Sequence, residues 1–233
     1  MTSGRTVAAV DQGVAEAQTL GLTGTPSFRF NRTGNEAAYT LVGAQPLDVF
    51  TQWISAMAAG GEPPVEPTPA PPELPFWAKP EGLAPDPERE GYTLAGDAFK
   101  GEPGAPLKVV EFSDYQCPVC KSHALEVQPA LDEAFVQTGK VMWVFKNLPL
   151  RTHAQAAMAA AAAECAGAQG QFWPMHEALF AGQDTWAVDD PIPALTALAG
   201  QAGLDVDAFT TCLDGRWAME QVLNLWLAEE RSG

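Results

Sequence analysis

Hydrophobic positions in the first sixty residues recur at helical spacing, then at strand spacing, then at helical spacing again. From 6 to 20 the apolar residues are three or four positions apart, and a glycine follows where a helix stop is expected. Two short alternating runs on either side of a polar turn at 31–35 predict a β-hairpin, entered through Thr25 and Pro26. A second amphipathic helix is predicted after Pro46. The first module is therefore helix, strand, strand, helix.

The pattern then changes to a spacer, followed by strand, helix, strand and a series of helices. Ten of the 26 residues from 62 to 87 are proline, which favours an extended and stiff segment. Apolar runs at 107–112 and 141–145 predict buried strands, and the helix between them should kink at Pro129. Helical spacing continues to the end of the chain, with helices predicted at 154–168, 172–180, 192–202, 206–213 and 217–227.

These patterns divide the chain into four segments. We predict a helix, strand, hairpin and helix module at 1–60, a proline-rich linker and entry at 61–104, a strand-helix-strand unit at 105–150 and a helical region at 151–233. The helix predicted at 217–227 opens with the same Gly-Arg pair as the helix at 6–20 and has an amphipathic run of similar length. We therefore expect the chain to be cut from a longer tandem protein.

Charge and apolar run length exclude several classes of function. The net charge is −16, from 13 Lys and Arg against 29 Asp and Glu, whereas nucleic acids and anionic membranes require a basic face. No apolar run reaches the ~18 residues of a spanning helix, and the first five residues do not open a signal peptide. We expect a chain that is soluble and carries no visible export address.

A pair of cysteines at CxxC spacing lies between the strand at 107–112 and the next helix. Cys117 would stand at the helix N-terminus, where unpaired N–H groups and the helix dipole favour thiolate over thiol. Pro118 suits the first turn because its missing N–H would have no partner there. Cys120, one turn later, is placed to attack a mixed disulfide formed on Cys117. The motif predicts redox chemistry.

The alternatives to redox chemistry are half of a zinc site and an inert pair of thiols. Zinc requires two further Cys or His ligands, and neither Cys165 nor Cys212 belongs to a second CxxC motif. We therefore expect no metal and no cofactor.

Thr25 and Pro26 supply a second element. A cis proline that enters a strand exposes a backbone edge on which an extended peptide can pair, next to a reactive sulfur. Alone, Gly-Thr-Pro is equally well an ordinary turn. The interpretation of Gly-Thr-Pro as a cis-proline loop is supported by the presence of a strand-CxxC-helix unit elsewhere in the chain.

The run from Val110 to Cys120 resembles the active-site signature of the DsbA-like thiol:disulfide oxidoreductases. That family has an α/β thioredoxin-like fold with an inserted helical domain, and the resemblance implies this fold class here, with the C-terminal part of the fold placed N-terminally. Further stretches that look like the family are Gly24-Thr25-Pro26, Lys146-Asn147-Leu148-Pro149-Leu150 with His153, Glu164-Cys165-Ala166, Phe172-Trp173-Pro174-Met175-His176, Gly203-Leu204-Asp205 and Phe209-Thr210-Thr211-Cys212-Leu213.

The resemblance also implies roles for single residues. Cys117 would be the nucleophile, Cys120 the resolving cysteine, Pro26 the cis proline and Glu111 a buried carboxylate beneath the disulfide, able to take up or relay a proton. Glu111 could instead be a strand-end carboxylate that is only hydrogen-bonded. Substrate would contact three residues beside the cysteines: Thr25, Pro118 and Val119.

The two remaining cysteines and two of the histidines are expected to be structural. In relatives, cysteines at the places of Cys165 and Cys212 form a second disulfide, and the alternative is two buried free thiols. His153 and His176 are expected to pack or cap rather than to bind a ligand.

One departure from the family concerns chain order. In the family the Gly-Thr-Pro strand, hairpin and last helix follow the helical insertion, whereas here they precede the CxxC motif. If the unit is to close, 24–57 must return across the spacer and complete the sheet, within one chain or in a domain-swapped homodimer. If it does not close, Pro26 belongs to a different active site.

The resemblance implies an extracytoplasmic thiol:disulfide oxidoreductase, in the periplasm or cell envelope. It would form or exchange disulfides in exported proteins that contain cysteines, with a redox partner protein and without nucleic acid. Two alternatives stay open at this point: a non-catalytic thioredoxin-like binding module, and an inactive fragment of a tandem protein.

Overall fold

The computed structural model describes residues 3–35, 37–65, 67–68, 76, 79 and 81–214, with backbone alone at 3–9. The strands are β1 (Ser27–Arg32), β2 (Ala38–Val42), β3 (Phe99–Lys100), β4 (Leu107–Ser113) and β5 (Val141–Asn147). The helices are α1 (Ser3–Thr19), α2 (Leu47–Ala58), α3 (Pro118–Ser122), α4 (Gln128–Leu131), α5 (Ala156–Gly167), α6 (Phe172–Ala181), α7 (Gln183–Trp186), α8 (Ile192–Gln201) and α9 (Val206–Leu213). The helix expected at 217–227 lies outside the described residues.

The five strands form one sheet in the order β2-β1-β4-β5-β3. β4 and β5 are parallel, as the continuous apolar run at 141–145 predicts, and all seven residues of β5 are buried. β1 pairs with β4 in antiparallel fashion, so that Phe28 lies opposite Glu111. The hairpin that the sequence places upstream of the spacer therefore completes the sheet within the same chain. The fold is α/β, as expected.

Helix α1 packs on the end of β5 and on α5. Its Glu16 is buried and lies 2.9 Å from the Lys146 ammonium, which is also ion-paired with Asp97. Burial raises the pKa of Glu16 to about 7. The attraction of the Lys146 ammonium, which Glu16 shares with Asp97, lowers this pKa but does not offset the effect of burial. At Gly13 a methyl group would overlap the Asn147 carbonyl oxygen. The absence of a side chain there allows the helix to lie directly on the strand.

The segment from 81 to 98 is packed against the rest of the molecule. Leu83, Tyr92 and Ala98 are buried, and the Arg89 guanidinium lies 3.2 Å from the centre of the Tyr92 ring. The segment leads into the short strand β3, which the sequence analysis missed because two residues carry no periodicity. Its conformation depends on pairing with β5.

The helix that follows the CxxC motif changes its geometry along its length. α3 and α4 are each followed by a π-helical turn, His123–Val127 and Asp132–Val136. The irregularity surrounds the position of Pro129, which cannot donate a helical hydrogen bond. The same helix packs on an aromatic cluster formed by Phe28 and Trp143 of the sheet and Phe50 of α2.

Candidate active site

Cys117 lies at the point where β4 has ended and α3 begins. It is the N-cap of α3, and Pro118 occupies the first helical turn. Cys120 lies one turn later and is fully buried, while Cys117 is 5% exposed. Both are free thiols. The local sequence explains this placement, because the strand pattern stops at 113 and the proline starts the helix.

The loop that carries Pro26 meets Cys117 in the same chain. The Thr25–Pro26 peptide bond is cis, and Cys117 Sγ lies 3.7 Å from the Thr25 carbonyl oxygen, to which it donates when the thiol is protonated. The Pro26 carbonyl accepts from the Gly43 N–H at 2.8 Å, which fixes the loop to the end of β2. The structure thus brings Cys117 next to Thr25 and Pro26, although Cys117 and Thr25 are 92 positions apart in the sequence.

The two thiols differ strongly in acidity. A hydrogen bond from the Cys120 thiol lowers the pKa of Cys117 to about 5, against an opposing effect of burial, with further help from the Cys120 and Val119 backbone N–H groups. Burial raises the pKa of Cys120, and the neighbouring Cys117 charge raises it further. Cys117 is therefore the thiolate near neutral pH, and Cys120 keeps its proton.

Strand β4, which leads towards the two thiols, carries a buried carboxylate. Ser113 lies next to Cys120, where its hydroxyl opposes the rise in the Cys120 pKa. Glu111 is two residues earlier on the same face of the strand and is 2% exposed. One of its oxygens accepts from the Trp143 indole N–H at 2.9 Å, and the other has no protein partner among the described residues.

The loop before Cys117 is held by a glutamine that the sequence analysis did not single out. The Gln183 side-chain amide, buried at the start of α7, donates to the Tyr115 carbonyl at 2.7 Å and to the Cys117 carbonyl at 3.2 Å. A glutamine after an apolar helix has no distinguishing sequence pattern. Only the fold places it beside carbonyls 66 and 68 positions away.

Asp114 fixes the other side of this loop. Its buried carboxylate accepts from the backbone N–H groups of Gln116 and Leu150, both at 2.7 Å. His153 Nδ1 lies 2.8 Å from the same carboxylate. His153 is thus a partner of the active-site loop, in keeping with the expectation that it packs or caps. His176, the other histidine considered above, is buried and shares a hydrogen bond of 3.1 Å with the Tyr115 hydroxyl.

The rim around the cysteines is apolar and exposed. Pro118 and Val119 are exposed in the first turn of α3, with Val119 47% exposed. Across the Pro26 loop, Val42 at the end of β2 is 57% exposed. An extended chain laid along this rim would meet apolar side chains and the backbone beside Pro26.

The second cysteine pair lies in the helical region. Cys165 on α5 and Cys212 on α9 form a disulfide across 47 positions. Cys165 is 1% exposed and is packed among alanines of the same helix. Among the described residues no three His, Cys, Asp or Glu side chains are grouped so as to hold a metal ion. None of the helices described there has both the length and the apolar character needed to cross a bilayer.

Comparison with known proteins gives relatives of two kinds. The chain is 40% identical over 121 residues to a Na(+)/H(+) antiporter NhaA 3 of Salinispora tropica, a match that covers 52% of this chain and 17% of the antiporter. It is 31% identical over 111 residues to the probable disulfide bond formation protein D of Bacillus cereus, covering 45% of this chain and 51% of that protein. The chain thus spans about a sixth of the length of the antiporter that it matches.

Solved structures similar to this chain include a DsbA and a BdbD protein. Wolbachia pipientis alpha-DsbA1 is 26% identical, with a TM-score of 0.49, over 61% of this chain and 67% of that one. BdbD from Bacillus subtilis is 29% identical, with a TM-score of 0.49, over 57% of this chain and 74% of that one.

A family model described as thioredoxin matches residues 93–229, which include both cysteines of the CxxC motif and the helical region. The matched residues make up more than half of the 233. The chain belongs to the thioredoxin family.

Proposed function

We propose that this chain is a DsbA-like thiol:disulfide oxidoreductase that forms or exchanges disulfides in exported proteins containing cysteines. The observation that carries the proposal is the pairing of an acidic thiol with a backbone edge. Cys117, with its pKa lowered to about 5, lies 3.7 Å from the Thr25 carbonyl that precedes the cis proline.

The reaction proceeds through a mixed disulfide. The Cys117 thiolate attacks a substrate disulfide, a new S–S bond forms to Cys117, and one substrate sulfur leaves as thiolate. Cys120 then loses its proton and attacks Cys117, and the second substrate sulfur leaves. The enzyme ends as the Cys117–Cys120 disulfide and the substrate as a dithiol. Every step runs equally in reverse, so the net direction depends on relative reduction potentials.

Glu111 supplies the proton acceptor in this proposal. Cys120 is fully buried, so its proton has no direct contact with bulk water when the thiolate must form. The Glu111 carboxylate is buried on the same face of β4 as Ser113, which lies beside Cys120, and one of its oxygens has no protein partner among the described residues. A buried carboxylate at this place can take the proton and return it in the reverse step.

Substrate binding uses the rim. Thr25 and Pro26 offer a backbone edge on which an extended peptide can pair, and Pro118 and Val119 offer an apolar surface beside the sulfur. We further propose that the chain is a permuted unit, in which 1–60 supplies the cis-proline half of the fold and 105–150 the cysteine half. The pairing of β1 with β4 within one chain supports this, without any need for a swapped dimer.

The cellular place and partner are part of the proposal. We propose an extracytoplasmic setting with a separate redox partner protein, and the name of the Bacillus cereus relative, a probable disulfide bond formation protein, supports the chemistry that this setting requires. The transport activity in the antiporter names is not carried over, because the match covers 17% of their length.

Replacement of the nucleophile tests the proposal. Cys117→Ser should abolish disulfide transfer to a reduced, unfolded protein, while Cys165→Ala with Cys212→Ala should retain the activity per folded molecule. Unchanged transfer by Cys117→Ser would refute the assignment and favour the non-catalytic binding module.

A further inference from the structure

A fully buried histidine lies one turn beyond the resolving cysteine. The backbone N–H of His123 donates to the Cys120 carbonyl, and its ring is 0% exposed. It is packed among the aromatic rings of Phe28 at 4.6 Å, Phe50 at 5.2 Å and Trp143 at 6.3 Å between ring centres. A polar ring in such surroundings is costly to bury unless its nitrogens are used.

A chain of hydrogen bonds connects His123 to the surface. The Lys100 ammonium lies 2.5 Å from one oxygen of Asp132, and both side chains are partly exposed. The Gln128 amide donates to the other oxygen of Asp132 at 2.8 Å. The Gln128 side-chain oxygen lies 3.0 Å from His123 Nε2.

The donors and acceptors in this series of hydrogen bonds determine the tautomer of His123. Asp132, paired with Lys100, can only accept, so the group of Gln128 that meets it must be the NH2 group. The Gln128 oxygen therefore faces His123 and can only accept, so Nε2 must carry the hydrogen. In the neutral ring Nδ1 is then a bare lone pair, and among the described residues it has no protein partner.

Few charged groups face His123. They are Glu111 from β4, Lys100 from β3, Asp132 from its own helix and His176 from α6. From β1 and α2 it meets only the rings of Phe28 and Phe50. Burial is the main reason that the pKa of His123 is lowered, and the Glu111 charge opposes this most strongly. His123 is thus a neutral base whose proton affinity rises when Glu111 is ionised.

We infer that His123 is a positioning residue that acts through Glu111, sharing on Nδ1 the proton that Cys120 gives up during resolution. The inference rests on the proposed function. Glu111 and His123 both belong to the face of the sheet covered by the CxxC helix, since Phe28, opposite Glu111 in the sheet, contacts the His123 ring. Gln128 and Asp132 hold the ring in the one neutral tautomer that leaves Nδ1 able to accept a proton.

The proton and electron balance is simple. When Cys120 resolves the mixed disulfide, its S–H bond breaks, its sulfur bonds to Cys117, and the substrate sulfur leaves with the electron pair of the broken S–S bond. The proton stays on the pair, as Glu111 carboxylic acid with neutral His123 or as carboxylate with imidazolium. The pair changes from a net charge of −1 to 0, and in reverse the proton returns to Cys120.

Single-turnover kinetics with oxidised glutathione separate the relevant steps. Reduced enzyme should react in two phases, attack by Cys117 and then resolution by Cys120. In His123→Phe, which keeps an aromatic ring in the cluster, resolution should slow about tenfold or more at pH 6–7 and approach the wild-type rate at pH 10, where hydroxide can take the proton. Attack should change less than about twofold, since His123 does not touch Cys117.

Two further variants guard against a purely structural explanation. Gln128→Leu, which removes the acceptor for Nε2–H, should slow resolution in the same pH range. His176→Phe removes a different buried, hydrogen-bonded histidine and should leave the pH profile of resolution unchanged. Equal slowing of both phases, or an unchanged resolution phase in both His123→Phe and Gln128→Leu, would overturn the inference.

Nitrogen NMR gives a readout independent of rate. The chain has three histidines, so the His123 signals are assigned by their loss in His123→Phe. We expect the Nε2–H tautomer in the reduced protein, with an Nδ1 shift that depends on the redox state of the cysteines. An Nδ1–H tautomer would contradict the inference while leaving the proposed function intact. A wild-type protein that fails to react with oxidised glutathione would contradict both.

Discussion

The chain contains two cysteine pairs whose surroundings give them opposite chemistry. Cys117 and Cys120 lie at the start of a helix, close enough to share a hydrogen bond, and are free thiols with widely separated pKa values. Cys165, which is buried on α5, and Cys212, which is half-buried on α9, form a disulfide between the two helices. The comparison shows that position at a helix start and local hydrogen bonding, rather than burial or cysteine content, distinguish the reactive pair from the structural one.

The largest expected effect concerns the disulfide. Replacing Cys165 and Cys212 by alanine opens a loop of 47 positions, and the loop-entropy relation gives a loss of about 4 kcal/mol in the free energy of unfolding. Denaturant unfolding of the variant against the parent, with Cys117 and Cys120 kept reduced in both, measures it.

The matched control is the other pair. Cys117→Ser with Cys120→Ser should change the free energy of unfolding much less, because the two are free thiols in the reduced protein and their replacement opens no loop. A similar loss from both double variants would contradict the division between a structural and a reactive pair.

The next effect is a contrast in alkylation within the reactive pair. At pH 7 iodoacetamide should modify Cys117 about a hundredfold faster than Cys120, because the thiolate is the nucleophile and Cys120 is a buried thiol. As pH falls, Cys117 gains its proton and its rate should drop with a midpoint near pH 5. Mass spectrometry of quenched samples follows both sites. A midpoint at pH 8 or above would mean that Cys117 is an ordinary thiol.

The smallest effect tests how the helical region supports Cys117. Gln183→Leu removes two donors from the loop carbonyls, so the backbone N–H groups that help to stabilise the thiolate are less firmly aligned. We expect a rise of about half a unit in the pKa of Cys117, which makes alkylation at pH 5 about twofold slower.

Gln169→Leu is the matched control for this prediction. Gln169 is also a hydrogen-bonded glutamine of the helical region, but it contacts Asp205 at the start of α9. Its replacement should leave the pKa of Cys117 unchanged. If both variants shift that pKa equally, the effect belongs to the stability of the helical region and not to the Gln183 contacts.

The sequence predicts those parts of the molecule whose signal is local. The strands predicted at 107–112 and 141–145 lie within β4 and β5, and the hairpin and the CxxC motif at a helix start likewise follow from residue spacing and from the positions of proline and glycine. The antiparallel pairing of β1 with β4 follows only from the family resemblance, because its two partners are about eighty positions apart.

The parts that sequence reasoning missed depend on distant partners. Glutamine is usually found at the protein surface. Gln183 is buried because its side-chain amide donates hydrogen bonds to two backbone carbonyls. Lys146 is the next-to-last residue of the buried strand β5, and the two acids that pair with it come from positions 16 and 97. His123 differs from the histidines singled out in the sequence in having no motif around it. Its proposed role depends on the tautomer that Gln128 and Asp132 impose on the ring, and the spacing of residues along the sequence does not predict a tautomer.

Helix α1 lies so close to β5 that the contact leaves no room for even a methyl group at Gly13. Aligned on the shared Gly-Arg pair, the segment after Asp214 places Asn224 where α1 has Gly13, and Leu227 where α1 has Glu16. An amphipathic pattern is common to both segments, yet only the first has both a glycine for the Asn147 carbonyl and an acid for the buried ammonium. In a protein built from repeats, such a pair of residues would determine which helix packs on which sheet. A helix that lacks the glycine and the acid would be excluded from the sheet that requires them.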